Sequence, residues 1–183
     1  AFQRLVLIAL VPGFLALAVL ALVKEAPPAV QHESTTSPRL SLSGFDPRFK
    51  WFLAAVTLFT LGNSSDAFLL LRAQNLGMSV FHVAVVLAGF NLLYSLLSPV
   101  AGRWSDRVGR RRLMLIGWSI YGLTYLGFAL ARSPIHVIGL FALYAVYYGA
   151  SEGASRALVA DLVPDERRGT AYGLYNTAVG ITA

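Results

Sequence analysis

The sequence predicts an all-α fold, a polytopic bundle of membrane-spanning helices. Of its 183 residues, 56% are hydrophobic and only 13% are charged, whereas about a quarter of the residues are charged in a typical soluble domain. The apolar residues form continuous runs close to the roughly 20 residues that a helix needs to cross a bilayer. None of these runs alternates as a half-buried strand would, and a helix satisfies its backbone hydrogen bonds internally.

The first apolar run, residues 5–23, predicts a spanning helix within residues 1–23. A signal peptide is the alternative, but the run is long for one, and Lys24 and Glu25 follow where small residues would prepare cleavage. Residues 24–50 are rich in Pro, Ser, Thr and charge, which indicates a polar linker. Because the chain begins without Met and ends inside an apolar run, we expect it to be a fragment of a longer protein.

Residues 51–183 form the main predicted bundle, and Asp46–Pro47 just before it is a turn or helix-start signal. The predicted spans cover residues 51–71, 80–101, 113–131 and 135–159, and a fifth span begins at Thr170 and is cut short. Ser133 and Pro134 open the fourth of these spans, and a turn at residues 75–77 closes the first.

The basic residues orient the bundle, because they alternate between the loops on its two sides. One side carries Lys24, Arg39, Arg48, Lys50, Arg103, Arg107, Arg110, Arg111, Arg112, Arg156, Arg167 and Arg168, and the other carries Arg4, Arg72 and Arg132. The positive-inside rule therefore places loops 24–50, 103–112 and 160–169 on the cytoplasmic side of an inner or plasma membrane. This pattern also explains the net charge of +6 by attraction to the lipid bilayer, so we expect no nucleic-acid partner.

The most specific stretch lies between the spans that end at residue 101 and begin at residue 113. Its ordered residues are Gly102, Asp106, Arg107, Gly109, Arg110 and Arg111. A topology anchor needs positive charge but not this order, although anchoring remains the simpler explanation for most of the arginines. This order resembles the signature cytoplasmic loop of the major facilitator superfamily of secondary transporters. A second stretch, residues 160–170, resembles the loop between the fourth and fifth helices of one half of these proteins.

The resemblance implies a major-facilitator-type fold covering roughly helices six to eleven. The helix within residues 1–23 would end the N-terminal half, residues 24–50 would be the cytoplasmic central linker, and residues 51–183 would be most of the C-terminal half. It also implies a gating role for the ordered stretch. In that role Asp106 would join a charge relay with Arg156 and Glu152, stabilising the state closed on the cytoplasmic side.

The predicted span at residues 135–159 carries two ridges that repeat every four residues. One ridge consists of the small residues Ala145, Gly149, Gly153 and Ala157, and the other of Tyr144, Tyr148, Glu152 and Arg156. The small residues would let another helix approach closely. Glu152 and Arg156 can pair on one face, and a relay or packing role is favoured over substrate contact. An unpaired charge at the centre of a membrane helix costs about 2.5–3.5 kcal/mol on insertion scales.

A second intramembrane acid, Asp66, follows Asn63 in the span at residues 51–71. At about 1.5 Å per residue, Asn63 and Asp66 lie roughly 18 and 22 Å from the cytoplasmic start of that span. An acid at this depth is by default a functional-site hypothesis. The alternative is a structural pair with Arg72 or with the missing half.

Polar and aromatic residues occur on two other spans, and one of them, Asn91, again lies near mid-depth. Asn91 and Tyr94 lie on the span at residues 80–101, and Tyr144 and Tyr148 on the span at residues 135–159. Together with Asn63 and Asp66 they could line a central substrate cavity. Hydrogen bonding between helices is an equally simple explanation, and aromatic packing is favoured for each tyrosine taken singly.

Several classes of chemistry are excluded by the sequence. There is no cysteine, no phosphate-binding G-x-x-x-x-G-K-[ST] loop and no G-x-S-x-G or H-E-x-x-H motif, and the three histidines share no ligand spacing. We therefore expect no metal, no cofactor and no enzyme.

The function predicted is secondary active transport of a small molecule by alternating access. Protonation of Asp66 would couple it to a proton gradient, since removal from water favours the neutral carboxyl. The cargo could be a drug-like efflux substrate or a small metabolite. A non-transporting sensor or scaffold on the same fold is the alternative.

Overall fold

The computed structural model describes residues 41–63 and 66–182, so the predicted helix within residues 1–23 and most of the linker lie outside the described residues. The described part consists of helices without a strand. They are α1 (Pro47–Leu61), α2 (Asp66–Asn75), α3 (Val80–Val108), α4 (Arg110–Leu130), α5 (Pro134–Leu162) and α6 (Arg168–Thr182), with a single 3₁₀ turn at Asp165–Arg167 before α6.

Four helical segments are long and apolar enough to cross a membrane. They cover Pro47–Asn75, Val80–Val108, Arg110–Leu130 and Pro134–Leu162, with mean hydropathy between 1.3 and 2.0. Large apolar side chains are exposed on their outer faces, among them Leu92 and Leu96 of α3 and Leu123 and Leu126 of α4. Lipid tails suit such surfaces, and the predicted all-helical membrane bundle is confirmed.

The helices extend further at the predicted cytoplasmic ends than the apolar runs do. α3 continues to Val108, and Gly109 alone, with φ of 97°, separates it from α4. The predicted loop at residues 103–112 is therefore almost entirely helical. The loop at residues 160–169 is likewise shortened, because α5 ends at Leu162 and α6 begins at Arg168. An apolar run ends where the bilayer ends, but arginine is a good helix former and backbone hydrogen bonds continue beyond it.

The span predicted at residues 51–71 is two helices rather than one. α1 begins earlier, at Pro47, where the Asp46 side chain accepts a hydrogen bond from the Arg48 amide at 2.6 Å, as expected of an N-cap. α1 ends at Leu61 and α2 begins at Asp66. Gly62 favours the break, since glycine is a poor helix former.

α5 is the central helix, with α3 and α4 packed against it. Small residues set these approaches: a Cβ added at Gly149 would lie 3.3 Å from the Leu97 Cβ of α3. On the α4 side, Gly117 faces Ser151 with no room for a side chain. The predicted small ridge is used at Ala145 and Gly149, both buried, while Gly153 is exposed. The α4 contact depends on a glycine of the partner helix, which the ridge alone did not predict.

Aromatic side chains fill the bundle around the middle of α5. Phe59 of α1 stacks on Trp118 of α4 with ring centroids 4.3 Å apart. Phe128 of α4 meets Phe141 of α5 edge-on at 5.3 Å. Tyr144 is 1% exposed. Because lipid is as apolar as these rings, van der Waals packing rather than burial from water holds the helices together.

Candidate functional site

Asp66 accepts hydrogen bonds from two tyrosine hydroxyls of α5. Tyr144 donates to Oδ1 at 2.6 Å and Tyr148 donates to Oδ2 at 3.2 Å. Tyr148 is the middle residue of α5, so the carboxylate lies halfway along a helix that is long enough to cross a bilayer. The structure thereby joins three sequence-predicted candidates, Asp66, Tyr144 and Tyr148, in one hydrogen-bonded group.

Arg72, the alternative partner of Asp66, is engaged elsewhere. Its Nη2 donates to the Ala131 carbonyl at 2.8 Å and its Nε to the Phe128 carbonyl at 3.3 Å. A guanidinium satisfies the free carbonyls at a helix C-terminus, here that of α4. The predicted alternative of an Asp66–Arg72 pair is therefore not formed. Within the described ranges, 41–63 and 66–182, no cation forms an ion pair with Asp66.

Glu152 is the second acid of the site and has different partners. It forms an ion pair with Arg156 of the same helix at 3.2 Å, and its other oxygen accepts a hydrogen bond from the Tyr94 hydroxyl of α3. Glu152 is one turn beyond Tyr148 towards the end of α5. The predicted Glu152–Arg156 pair is confirmed, and the ridge on which it lies faces α3.

Aromatic contacts connect the surroundings of the two acids. The Tyr148 ring is 5.8 Å from the Tyr94 ring and 5.1 Å from the Tyr144 ring, in both cases edge to face. Phe90 packs against Tyr148 at 5.5 Å. Aromatic contacts thus run along α5 between the residues that hold Asp66 and those that hold Glu152.

The two asparagines do not share this environment. Asn91 is exposed, and its amide donates to the Leu87 carbonyl of its own helix at 2.8 Å. Asn91 therefore does not join Asp66, Tyr144 and Tyr148, although its predicted depth in the membrane is similar to that of Asp66. Asn63 instead lies in the interruption between α1 and α2, and its Oδ1 is buried without a hydrogen-bond partner among the described residues.

Arg110 is the centre of a separate charge cluster at the ends of α3, α4 and α5. Its guanidinium pairs with Asp161 at 2.6 Å and with Asp106 at 3.6 Å, and it donates to the Ala157 carbonyl at 2.6 Å. Asp106 is thus bound to Arg110 and not to Arg156, whose guanidinium pairs with Glu152 instead. The expected relay partners of Asp106 are corrected accordingly.

The remaining residues of the ordered stretch have few contacts in the structure. Arg107 and Arg111 are exposed, and no ion pair within the described part of the chain includes them. Gly102 lies inside α3, where an added Cβ would meet nothing within 4 Å among the described residues. Gly109 carries the turn. In this stretch Gly109 forms the turn, Arg110 is the centre of the ion pairs, and Arg107 and Arg111 form an exposed basic surface.

Three residues in or beside the site were not predicted from the sequence. Asp161 was assigned to the predicted loop at residues 160–169, but it lies in the last turn of α5, the helix that also carries Arg156. Ser151 is 7% exposed and its Oγ has no partner among the described residues. Trp118, stacked on Phe59, gave no signal because single aromatic residues are common in apolar runs.

The described helices define a multi-pass membrane protein with a polar site beside the middle of α5 and an arginine cluster at one end of the helices. The profile of the Major Facilitator Superfamily matches residues 51–183, and the chain belongs to this family. An uncharacterised MFS-type transporter of Methanocaldococcus jannaschii is 36% identical over 188 residues, covering 100% of this chain and 47% of the relative. The chain thus spans about half the length of that relative.

Two further relatives cover about half of this chain. The class E tetracycline resistance protein of Escherichia coli is 35% identical over 98 residues, 52% of this chain and 24% of the relative. A Na⁺, Li⁺, K⁺/H⁺ antiporter of Planococcus maritimus is 30% identical over 105 residues, 52% of this chain and 25% of the relative. No solved structure gives a significant match. The family and these names point to a transporter rather than an enzyme.

Proposed function

We propose that the full-length protein is a proton-coupled secondary transporter of the plasma or inner membrane that exports a small amphipathic molecule. Residues 51–183 would supply most of its C-terminal half, and residues 24–50 the cytoplasmic linker between the halves. Loops 103–112 and 160–169 would lie on the cytoplasmic side. The relatives named for tetracycline resistance and for cation/proton antiport support efflux and proton coupling.

The observation that carries the proposal is the environment of Asp66. Its carboxylate lies beside the middle of α5, with tyrosine hydroxyls as partners and with no ion pair among the described residues. An ionised carboxylate is costly in a membrane unless it is paired, hydrated or protonated. Asp66 is therefore the acid that we propose as the coupling group.

The Arg110 cluster supplies the gating element of the proposal. Arg110 ties the start of α4 to the end of α5 through Asp161, and Asp106 binds the same guanidinium. Separation of these helix ends requires these ion pairs to break. The cluster would thus stabilise the conformation that is closed at this end, while Glu152 and Arg156 would hold the ridge against α3.

Transport by the full-length protein tests this proposal. A strain that lacks its own exporters is first screened for reduced sensitivity to amphipathic drugs, and a compound so identified is then followed in inside-out vesicles. We expect its uptake into those vesicles to require a pH gradient and to be lost in Asp66→Asn. Uptake that is equal with and without the gradient would refute proton coupling, and absence of transport across the screen would favour a sensor or scaffold.

A further inference from the structure

The chain segment just before α1 folds against the junction between α5 and α6. Residues 42–45 form a turn, in which the Phe45 amide donates to the Leu42 carbonyl at 3.4 Å. Gly44 is the third residue of this turn and has φ of 80°, a value that a type II turn requires at that position and that favours glycine. Residues 41–45, which we call the strap, are therefore ordered, although the composition predicts a polar linker here.

Arg167, the last residue of the 3₁₀ turn between α5 and α6, holds the strap. Its Nη1 donates to the Gly44 carbonyl at 2.7 Å, and its guanidinium lies over the Phe45 ring, 5.8 Å from the centroid. A Cβ added at Gly44 would lie 2.6 Å from the same Nη1, so the close approach also depends on glycine. A charge-assisted hydrogen bond and a cation–π contact thus join one side chain to the strap.

Two phenylalanines bury the apolar side of this contact. Phe45 is 7% exposed and Phe49 is fully buried, with their ring centroids 4.9 Å apart. They share one apolar cluster with Val159 of α5, Val163 of the junction and Ala171 of α6. Because closely packed side chains have low compressibility, they transmit a displacement rather than absorb it. The strap, the start of α1 and the α5–α6 junction therefore form one packed unit.

The same junction carries one side of the Arg110 cluster. Asp161 lies in the last turn of α5 and pairs with Arg110 at 2.6 Å. Only Val163 and Pro164 separate α5 from the 3₁₀ turn that ends at Arg167. Two residues span at most about 7 Å, so a displacement of Arg167 reaches the end of α5 with little slack.

We propose that Arg167 is a positioning residue that couples the strap to the Arg110 cluster. Its contacts with the strap keep the α5–α6 junction where Asp161 reaches Arg110. When these contacts are lost, the junction is freed and the end of α5 separates from the start of α4 more easily. The proposal rests on the gating role proposed above for the Arg110 cluster, and it makes the segment before α1 a regulator of that gate.

Distances between two spin labels test this coupling in the full-length protein in lipid nanodiscs. The labels are attached at Leu115→Cys and Gly169→Cys, in a background without other cysteines. Leu115 is exposed on α4, and an added Cβ at Gly169 of α6 meets nothing within 4 Å among the described residues. Asp161→Asn removes the ion pair directly and should define the longer distance of the open end. We expect Arg167→Gln to raise the ratio of the longer to the shorter distance about fivefold, the effect of one hydrogen bond.

A second variant and a matched control separate the strap from the rest of the junction. Gly44→Ala leaves Arg167 in place but crowds its guanidinium and strains the turn, so it should raise the ratio as Arg167→Gln does. Arg168→Gln is the control, because the Arg168 guanidinium binds Asp165 at 2.9 Å and the Ala160 carbonyl at 3.4 Å instead of the strap. It should leave the ratio as in the wild type, and a rise equal to that of Arg167→Gln would overturn the proposal.

A single spin label on the strap, at Ser41→Cys, reports its release independently of the gate. The mobility of this label should increase in Arg167→Gln and stay unchanged in Asp161→Asn, which leaves the strap bound. A longer distance in Asp161→Asn together with an unchanged ratio in both Arg167→Gln and Gly44→Ala would overturn the coupling. An unchanged distance in Asp161→Asn would instead refute the gating role of the Arg110 cluster, and the coupling with it.

Discussion

The two acids beside the middle of α5, Asp66 and Glu152, are held in different ways. Asp66 accepts hydrogen bonds from Tyr144 and Tyr148 and has no ion pair among the described residues. Glu152, one turn further along α5, is bound to Arg156. The tyrosines leave Asp66 with an uncompensated negative charge when it is ionised, whereas Arg156 neutralises Glu152.

This difference separates a chemical role from a structural one. A carboxylate with only neutral partners can gain a proton without breaking an ion pair, so its charge can change during a transport cycle. A carboxylate paired with arginine loses that pair when it is protonated. We therefore expect proton coupling at Asp66 and helix positioning at Glu152 and at the Arg110 cluster.

The largest expected effect is that of Asp66→Asn. Gradient-driven transport should fall by about 100-fold or more, as expected when the group that carries the proton is removed. The protein should still fold, because the amide oxygen of the substituted side chain can accept the Tyr144 hydroxyl as the carboxylate does. Vesicle uptake and the melting temperature are measured together. Retained gradient dependence in a well-folded Asp66→Asn variant would remove the distinction between the two acids.

Arg110→Gln should have the next largest effect. It breaks the 2.6 Å pair with Asp161 and the 3.6 Å pair with Asp106 at once, and it should lower transport about tenfold, equivalent to roughly 1.4 kcal/mol in state preference. Asp106→Asn removes only the longer pair and should lower transport less. Because neither change touches Asp66, the pH dependence of uptake should stay as in the wild type. A shifted pH profile in either variant would place proton coupling in this cluster instead.

The two tyrosines that bind Asp66 should differ in importance. Tyr144→Phe removes the 2.6 Å hydrogen bond and Tyr148→Phe the 3.2 Å one. Loss of a hydrogen bond to a charged group costs about 1.5–3 kcal/mol, so Tyr144→Phe should lower transport by at least about tenfold. Tyr148→Phe should show a weaker effect. Gradient-driven uptake by the two variants ranks them, and a larger loss in Tyr148→Phe would contradict the geometry.

The smallest effect concerns the Glu152–Arg156 pair, whose side chains are 41% and 63% exposed. Arg156→Gln should lower the free energy of unfolding by at most about 1 kcal/mol. Combining it with Glu152→Gln should restore part of that loss, since the double variant leaves no unpaired acid. Thermal unfolding of the two single variants and the double variant measures the coupling. Additive losses would show that the pair contributes no stability.

The sequence predicted the bundle, its spans and the ridge that carries Tyr144, Tyr148, Glu152 and Arg156, because apolar runs and a four-residue repeat are local signals. It also located Asp66 and Glu152 as the intramembrane acids. The helix ends were predicted too short at residues 103–112 and 160–169, since polar helical residues beyond the bilayer look like loop residues in a hydropathy pattern.

The partners of each charge could not be predicted, because they depend on helix rotation and on contacts between distant residues. Depth alone grouped Asn91 with Asp66, but rotation of α3 leaves Asn91 exposed. Arg72 was an expected partner of Asp66 and instead binds carbonyls at the end of α4. The order of residues at the α3–α4 junction indicated a gate. The pair between Arg110 and Asp161, however, depends on how α4 and α5 pack, which the sequence does not show.

Substrate-induced proton release tests the difference between the two acids most directly. Purified full-length protein in weakly buffered detergent solution is mixed with a transported compound, and the pH change is followed with an indicator dye. We predict proton release by the wild type and by Glu152→Gln, and none by Asp66→Asn. Proton release that persists in Asp66→Asn and disappears in Glu152→Gln would contradict the assignment and make Glu152 the coupling acid.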